Sequence, residues 1–104
     1  MEFRDYHDAY HYELMYIVNP ELGAEATRDL AQLYRLLAEE LGADVKSVDD
    51  WGMRRLAYEI DDYGEGHYVM MNFSAKSERI TSELGRRMRM DERVMRSMLF
   101  RLDE

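Results

Sequence analysis

Tyr10 to Val18 (YHYELMYIV) alternates along its length, with Tyr12, Leu14, Tyr16 and Val18 on one face and Glu13, Met15 and Ile17 on the other. A period of two in a segment rich in aromatic and β-branched residues predicts a strand, which Asn19-Pro20 closes with a turn. After Glu21 the period changes. Ala26, Leu30, Leu33, Leu37 and Leu41 recur at spacings of three and four, flanked by Tyr34, and predict a helix over Ala24–Leu41. Gly42 follows where a helix end favours a left-handed residue.

Asp44 to Ile60 reads as one long strand, with Trp51-Gly52 as its expected bulge because interior glycine in a strand marks such points. Beyond the bulge, Arg54, Leu56, Tyr58 and Ile60 share one face, at the rim of the helix-covered side. Met53, Arg55, Ala57 and Glu59 share the other, open face. Asp61 to Gly66 reads as a turn in which Gly64 and Gly66 take positive φ, and His67 to Ala75 as the returning strand of a hairpin. Ser77 is placed to cap a second helix marked by Ile80, Leu84 and Met88, and Val94 to Leu102 predicts a fourth strand.

The order β-α-β-β-α-β is that of an α+β, ferredoxin-like domain, a four-stranded antiparallel sheet with two helices on one face. It spans residues 10–104, and residues 1–9 are expected to form a flexible extension. Two helices cover one face only. The other collects Met15, Ile17, Met53 and Ala57, and a half-apolar uncovered face points to a partner. Trp51 is a candidate anchor for the same interface, since aromatic residues concentrate energy at interfaces.

Composition narrows the chemistry. With 104 residues and no cysteine, the chain can bury a core without staples, and it has no disulfide, thiolate metal site or cysteine nucleophile. His7, His11 and His67 lack ligand spacing, so neither metal nor cofactor is expected. The carboxylate pairs Asp49-Asp50 and Asp61-Asp62 lack apolar shielding, and are expected to titrate normally and do no acid–base work. No apolar run reaches the ~20 residues of a membrane span and no signal segment opens the chain, so a cytoplasmic protein is expected.

The net charge of −8 argues against coating a nucleic acid. The sign is uneven, however: residues 1–75 hold 6 basic and 16 acidic side chains, and residues 76–104 hold 8 and 6. Arg86, Arg87, Arg89, Arg93, Arg96 and Arg101 crowd the second part, a pattern suited to docking a polyanion at one place.

Four stretches resemble the bacterial small-subunit ribosomal protein S-six family. They are Tyr12-Glu13 through Asn19-Pro20-Glu21-Leu22, then Leu41-Gly42-Ala43, then Trp51 to Ile60 with its Gly-x-Arg-Arg-Leu-Ala-Tyr run, and finally Arg89 to Arg96. The resemblance implies no catalysis. It implies a structural protein of the cytoplasmic ribosome that binds the central domain of small-subunit rRNA with ribosomal protein S-eighteen as heterodimer partner. Arg54, Arg55, Arg89, Arg93 and Arg96 are then the expected phosphate contacts, with His11 and Tyr12 as further RNA-binding candidates. Glu59 stands where the family usually has proline and adds a negative charge beside the arginines.

Other functions fit less well. A phosphate-cradling enzyme loop is not offered by Asn19-Pro20-Glu21-Leu22-Gly23, which carries an acid and no base. Gly66 to Phe73 does not follow the signature of a base-stacking RNA-recognition sheet. A stand-alone interaction domain, homo-oligomerising through its open face, is the alternative.

Overall fold

The structure is a computed structural model and describes residues 9–102; the extension expected over residues 1–9 lies, Ala9 apart, outside them. Six main elements follow in the expected order: β1 (Tyr10–Val18), α1 (Ala24–Leu41), β2 (Asp44–Ile60), β3 (Tyr63–Ala75), α2 (Glu78–Arg89) and β4 (Val94–Arg101). A single 3-10 turn over Pro20–Leu22 links β1 to α1, set by Asn19, whose side-chain oxygen accepts from the Glu21 amide at 2.8 Å. The sheet order is β2-β3-β1-β4 and every pairing is antiparallel.

Helix limits follow local chemistry. Gly42 takes φ +109° at the end of α1 and returns its amide to the carbonyls of Ala38 and Glu39. The Ser77 hydroxyl opens α2 by accepting from the Arg79 amide at 3.0 Å.

The core lies between the helices and one sheet face. Tyr12, Leu14, Tyr16 and Val18 of β1 and Val69, Met71, Phe73 and Ala75 of β3 form its floor. Leu30, Tyr34 and Ala38 of α1 and Ile80, Leu84 and Met88 of α2 form its roof. Each large side chain sealed there contributes roughly 1.5–3 kcal/mol.

The buried line of α1 differs from the expected one. It runs Thr27, Leu30, Tyr34, Ala38, whereas Leu33 is 51% exposed. The Thr27 hydroxyl donates to the Gly23 carbonyl at 2.6 Å and so enters the core satisfied, which a count of apolar residues cannot register.

The β2–β3 hairpin runs on beyond the rest of the sheet. β1 pairs with β3 only from His67 to Ala75, so Arg54–Ile60 and Tyr63–Gly66 pair with each other alone. The resulting arm stretches the molecule to 54 × 25 × 22 Å.

Its tip corrects the expected turn. Asp61 and Asp62, with φ of 51° and 69°, are the two central residues, flanked by Ile60 opposite Tyr63. Positive φ at both central positions matches the twist of the flanking strands, and aspartate tolerates it. Gly64 and Gly66 belong instead to β3. At Gly66 the requirement is space, because a Cβ there would collide with Ile17 Cγ2.

Candidate nucleic-acid and partner interface

The sheet face away from the helices carries Met15 and Ile17 of β1, Tyr68 and Met70 of β3 opposite them, and Arg96 and Met98 of β4 on the other side. At one end of this face the arm adds a second small core. Leu56 and Ile60 bury themselves there with Ile17 and Met95, edged by Tyr63 and Tyr68. At the β4 side none of the described residues covers the face: Met98 is 44% exposed and Phe100 46%.

The faces of β2 reverse the expected assignment. The register shifts twice before the arm, at Lys46 and at Trp51, where Gly52 takes φ +81°. Each shift moves every later side chain to the opposite face, and only the second was anticipated. Arg54 therefore pairs with Gly66 and shares the open side with buried Leu56, while Met53 pairs with His67 and Arg55 with Glu65, on the helix side. Ala57 lies exposed in the irregular stretch between Arg55 and Ile60, outside the apolar cluster.

Trp51 and Arg54 form one unit. The guanidinium carbon sits 5.3 Å from the ring centroid, and Nε donates to the Trp51 carbonyl at 3.4 Å. Arg96 extends from the open face opposite Ile17 and donates to the carbonyl of Met95 at 2.9 Å. Because Gly66 abuts Ile17, Arg54 and Arg96 stand on the same face at the same end, on either side of Ile17. β2 and β4 are the two edges of the four-stranded sheet, so their backbones are about 14 Å apart here at the usual interstrand spacing.

Other arginines are held within the chain. Arg93 donates to Asp91 through Nε and Nη2, both at 2.9 Å, and through its amide at 3.0 Å. The Tyr34 hydroxyl donates to the same carboxylate at 2.8 Å. Burial works against ionisation of Asp91, but these bonds outweigh it and hold the carboxyl below its usual range. Burial, followed by the bond to Asp91, pushes the Tyr34 hydroxyl up.

Arg86 and Arg87 both reach Glu83, at 2.7 and 2.8 Å, and first Arg86 and then Arg87 lower that carboxyl to about 2. Arg89, at the end of α2, is exposed and has no ion pair among the described residues, and the same holds for Arg55.

Tyr12 is corrected more plainly. Its ring is 5% exposed and stacks on Phe73 at 5.5 Å, so it is a core residue with almost no surface to offer RNA. His11, next to it, is exposed at the far end of β1, away from Arg96, and its carbonyl accepts from the Leu102 amide at 2.8 Å.

The family model for ribosomal protein S6 matches residues 11–101. The chain belongs to the ribosomal protein S6 family. Small ribosomal subunit protein bS6 of Carboxydothermus hydrogenoformans is 44% identical over 93 residues, covering 89% of this chain and 96% of the relative. The same protein of Alkaliphilus metalliredigens is also 44% identical, with 89% and 97% covered. The crystal structure of 30S ribosomal protein S6 from Thermotoga maritima superposes with a TM-score of 0.85 at 28% identity, over 90% of this chain and 88% of that one.

The S6 family is one of structural ribosomal proteins without catalytic activity. Among the described residues no group of three or more His, Asp or Glu side chains could hold a metal ion. No helix is long and apolar enough to cross a membrane.

One polar pair escaped the sequence reading. His67, 6% exposed, places Nε2 2.5 Å from Asp50 Oδ1, and the Gly52 amide donates to that oxygen at 2.8 Å. Burial opposes the Asp50 charge, but His67, then Gly52, outweigh it and lower the carboxyl, contrary to the expectation of normal titration. The available signal was a histidine opening the apolar run Tyr68 to Met71.

Proposed function

We propose that the chain is a structural component of the small ribosomal subunit on the cytoplasmic ribosome. It binds the central domain of small-subunit rRNA as a heterodimer with ribosomal protein S-eighteen. The observation that carries this reading is the joint presence, on one uncovered face, of exposed Met98 and Phe100 with Arg54 and Arg96.

The division of labour follows from charge. A chain of net charge −8 is repelled by RNA over most of its surface, so S-eighteen supplies most of the attraction and this chain supplies apolar area and orientation. Met15, Met98 and Phe100 are the surface the partner covers, with Trp51 at its edge. Arg54 and Arg96 are the phosphate contacts favoured by position. Arg55 and Arg89 have no ion pair among the described residues and can add contacts from the helix side; His11 can add one from the far end. Arg93 first has to share its charge with Asp91.

The test is binding to a central-domain rRNA fragment with and without S-eighteen. The mixture should bind far more tightly than either protein. Equal binding by either alone would remove the co-dependence from this reading.

A further inference from the structure

A second uncovered surface lies on the opposite side of the molecule, between the helices, and does not depend on the function proposed above. A groove of about 1250 Å³ runs between the second half of α1 and the turn after α2. Its apolar lining is Leu33, Leu36, Leu37 and Met90, of which Leu33 and Leu36 are 51% exposed and Met90 70%. None of the exposed three is needed by the core, whose seam is already filled by Thr27, Leu30, Tyr34 and Ala38. Single exposed leucines are ordinary, but several side chains lining one concave strip form a patch.

The charges around the groove select its occupant. Its two arginines are engaged inside the chain, Arg87 with Glu83 at 2.8 Å, a carboxylate it shares with Arg86, and Arg93 with Asp91 at 2.9 Å. Glu39 is paired with Arg35 at 3.3 Å, whereas Glu40 and Glu92 have no ion-pair partner among the described residues. The lining thus carries four carboxylates, Glu39, Glu40, Asp91 and Glu92, against two arginines, an acidic excess that disfavours RNA and a second copy of this acidic chain alike.

We propose that this groove docks one basic amphipathic helix from another protein. Two packed helices offer a trough whose shape accepts a third. The occupant's apolar stripe would rest on Leu33, Leu36 and Met90, and its lysines or arginines would face Glu40 and Glu92.

The experiment titrates the isotope-labelled chain with three synthetic peptides and follows its amide NMR signals. They are a leucine–lysine amphipathic helix, a scrambled peptide of the same composition, and a leucine–glutamate helix. The first should bind saturably, with shifts confined to Leu33, Leu36, Met90, Glu40 and Glu92 and their neighbours.

The double variant Leu33→Ser/Leu36→Ser should bind at least about tenfold more weakly, the loss expected from removing anchors at the centre of a contact. Glu40→Lys/Glu92→Lys should weaken the leucine–lysine peptide and admit the leucine–glutamate one. This second pair leaves the apolar side chains intact, so it reads the charge argument even where the serine variant loses stability. Shifts spread over the whole acidic surface or centred on the open sheet face would overturn the proposal. So would equal binding of the scrambled peptide, or groove shifts that depend on protein concentration alone, which would mean self-association.

Discussion

His67 Nε2 and Asp50 Oδ1, 2.5 Å apart, fasten β3 to β2 at the residue just before the Trp51 bulge. The same oxygen takes the Gly52 amide, so one carboxylate holds both the bend and its neighbour strand. That bend decides which face each arginine of the arm occupies. The Asp50 carboxyl is lowered in the folded chain, so its stabilisation is present above the ordinary carboxylate range and lost as pH falls through the folded value. Asp50→Asn should cost about 1 kcal/mol at neutral pH, a modest figure because the side chain is 46% exposed. Urea unfolding at a series of pH values checks it: the gap between native and variant should close in acid. A gap independent of pH would remove Asp50 ionisation as its source.

Gly66→Ala should destabilise by about 1–3 kcal/mol, the usual cost of forcing an extra methyl into filled space. The obstacle is Ile17 Cγ2, so adding Ile17→Ala should recover part of that loss, giving less than additive effects in a double-mutant cycle. Additive losses would place the obstacle elsewhere.

The Tyr16 hydroxyl is fully buried and has no hydrogen-bond partner among the described residues. Burial, first among its causes, pushes that hydroxyl's ionisation up. Tyr16→Phe removes an unsatisfied polar atom while keeping the ring that faces Tyr34 at 5.7 Å. The variant should be no less stable, with a gain up to about 1 kcal/mol, and a thermal melt is sufficient to check it. A clear loss would show that the hydroxyl is satisfied.

Arg93 and Arg96 should separate by assay. Arg93→Ala leaves partly buried Asp91 short of its main partner and should cost about 1–2 kcal/mol in denaturant unfolding. Arg96→Ala should leave stability within about 0.5 kcal/mol, as surface changes do. In the presence of S-eighteen, Arg54→Ala and Arg96→Ala should each weaken rRNA binding. Each should also make the salt dependence shallower, by up to ~0.7–0.9 for every phosphate that is no longer neutralised. An unchanged slope would make these two arginines structural.

The partner surface is open to a simple disruption. Met98→Glu puts a charge on an exposed apolar position that supports no core packing. It should abolish heterodimer formation in a pull-down with purified S-eighteen while the thermal melt stays unchanged. Retained binding would move the partner off this edge of the sheet.

Local pattern alone determined a great deal. The alternation of Tyr10–Val18, the helical period of Ala24–Leu41 and the caps Gly42 and Ser77 depend on residues within a few positions of one another. So the element order was legible, and with it the fold and the family. What tertiary structure decided involves groups that meet across long separations. Tyr34, not Leu33, faces the core, and its hydroxyl finds Asp91 57 residues later. Two bulges, not one, set the faces of β2, putting Arg54 on the open side and Arg55 on the other. Glu83 and Asp91 engage three of the arginines that the sequence shows only as a run. A one-residue slip in a strand inverts every face beyond it, and an arginine is free only if no carboxylate reaches it. Both are properties of the folded chain.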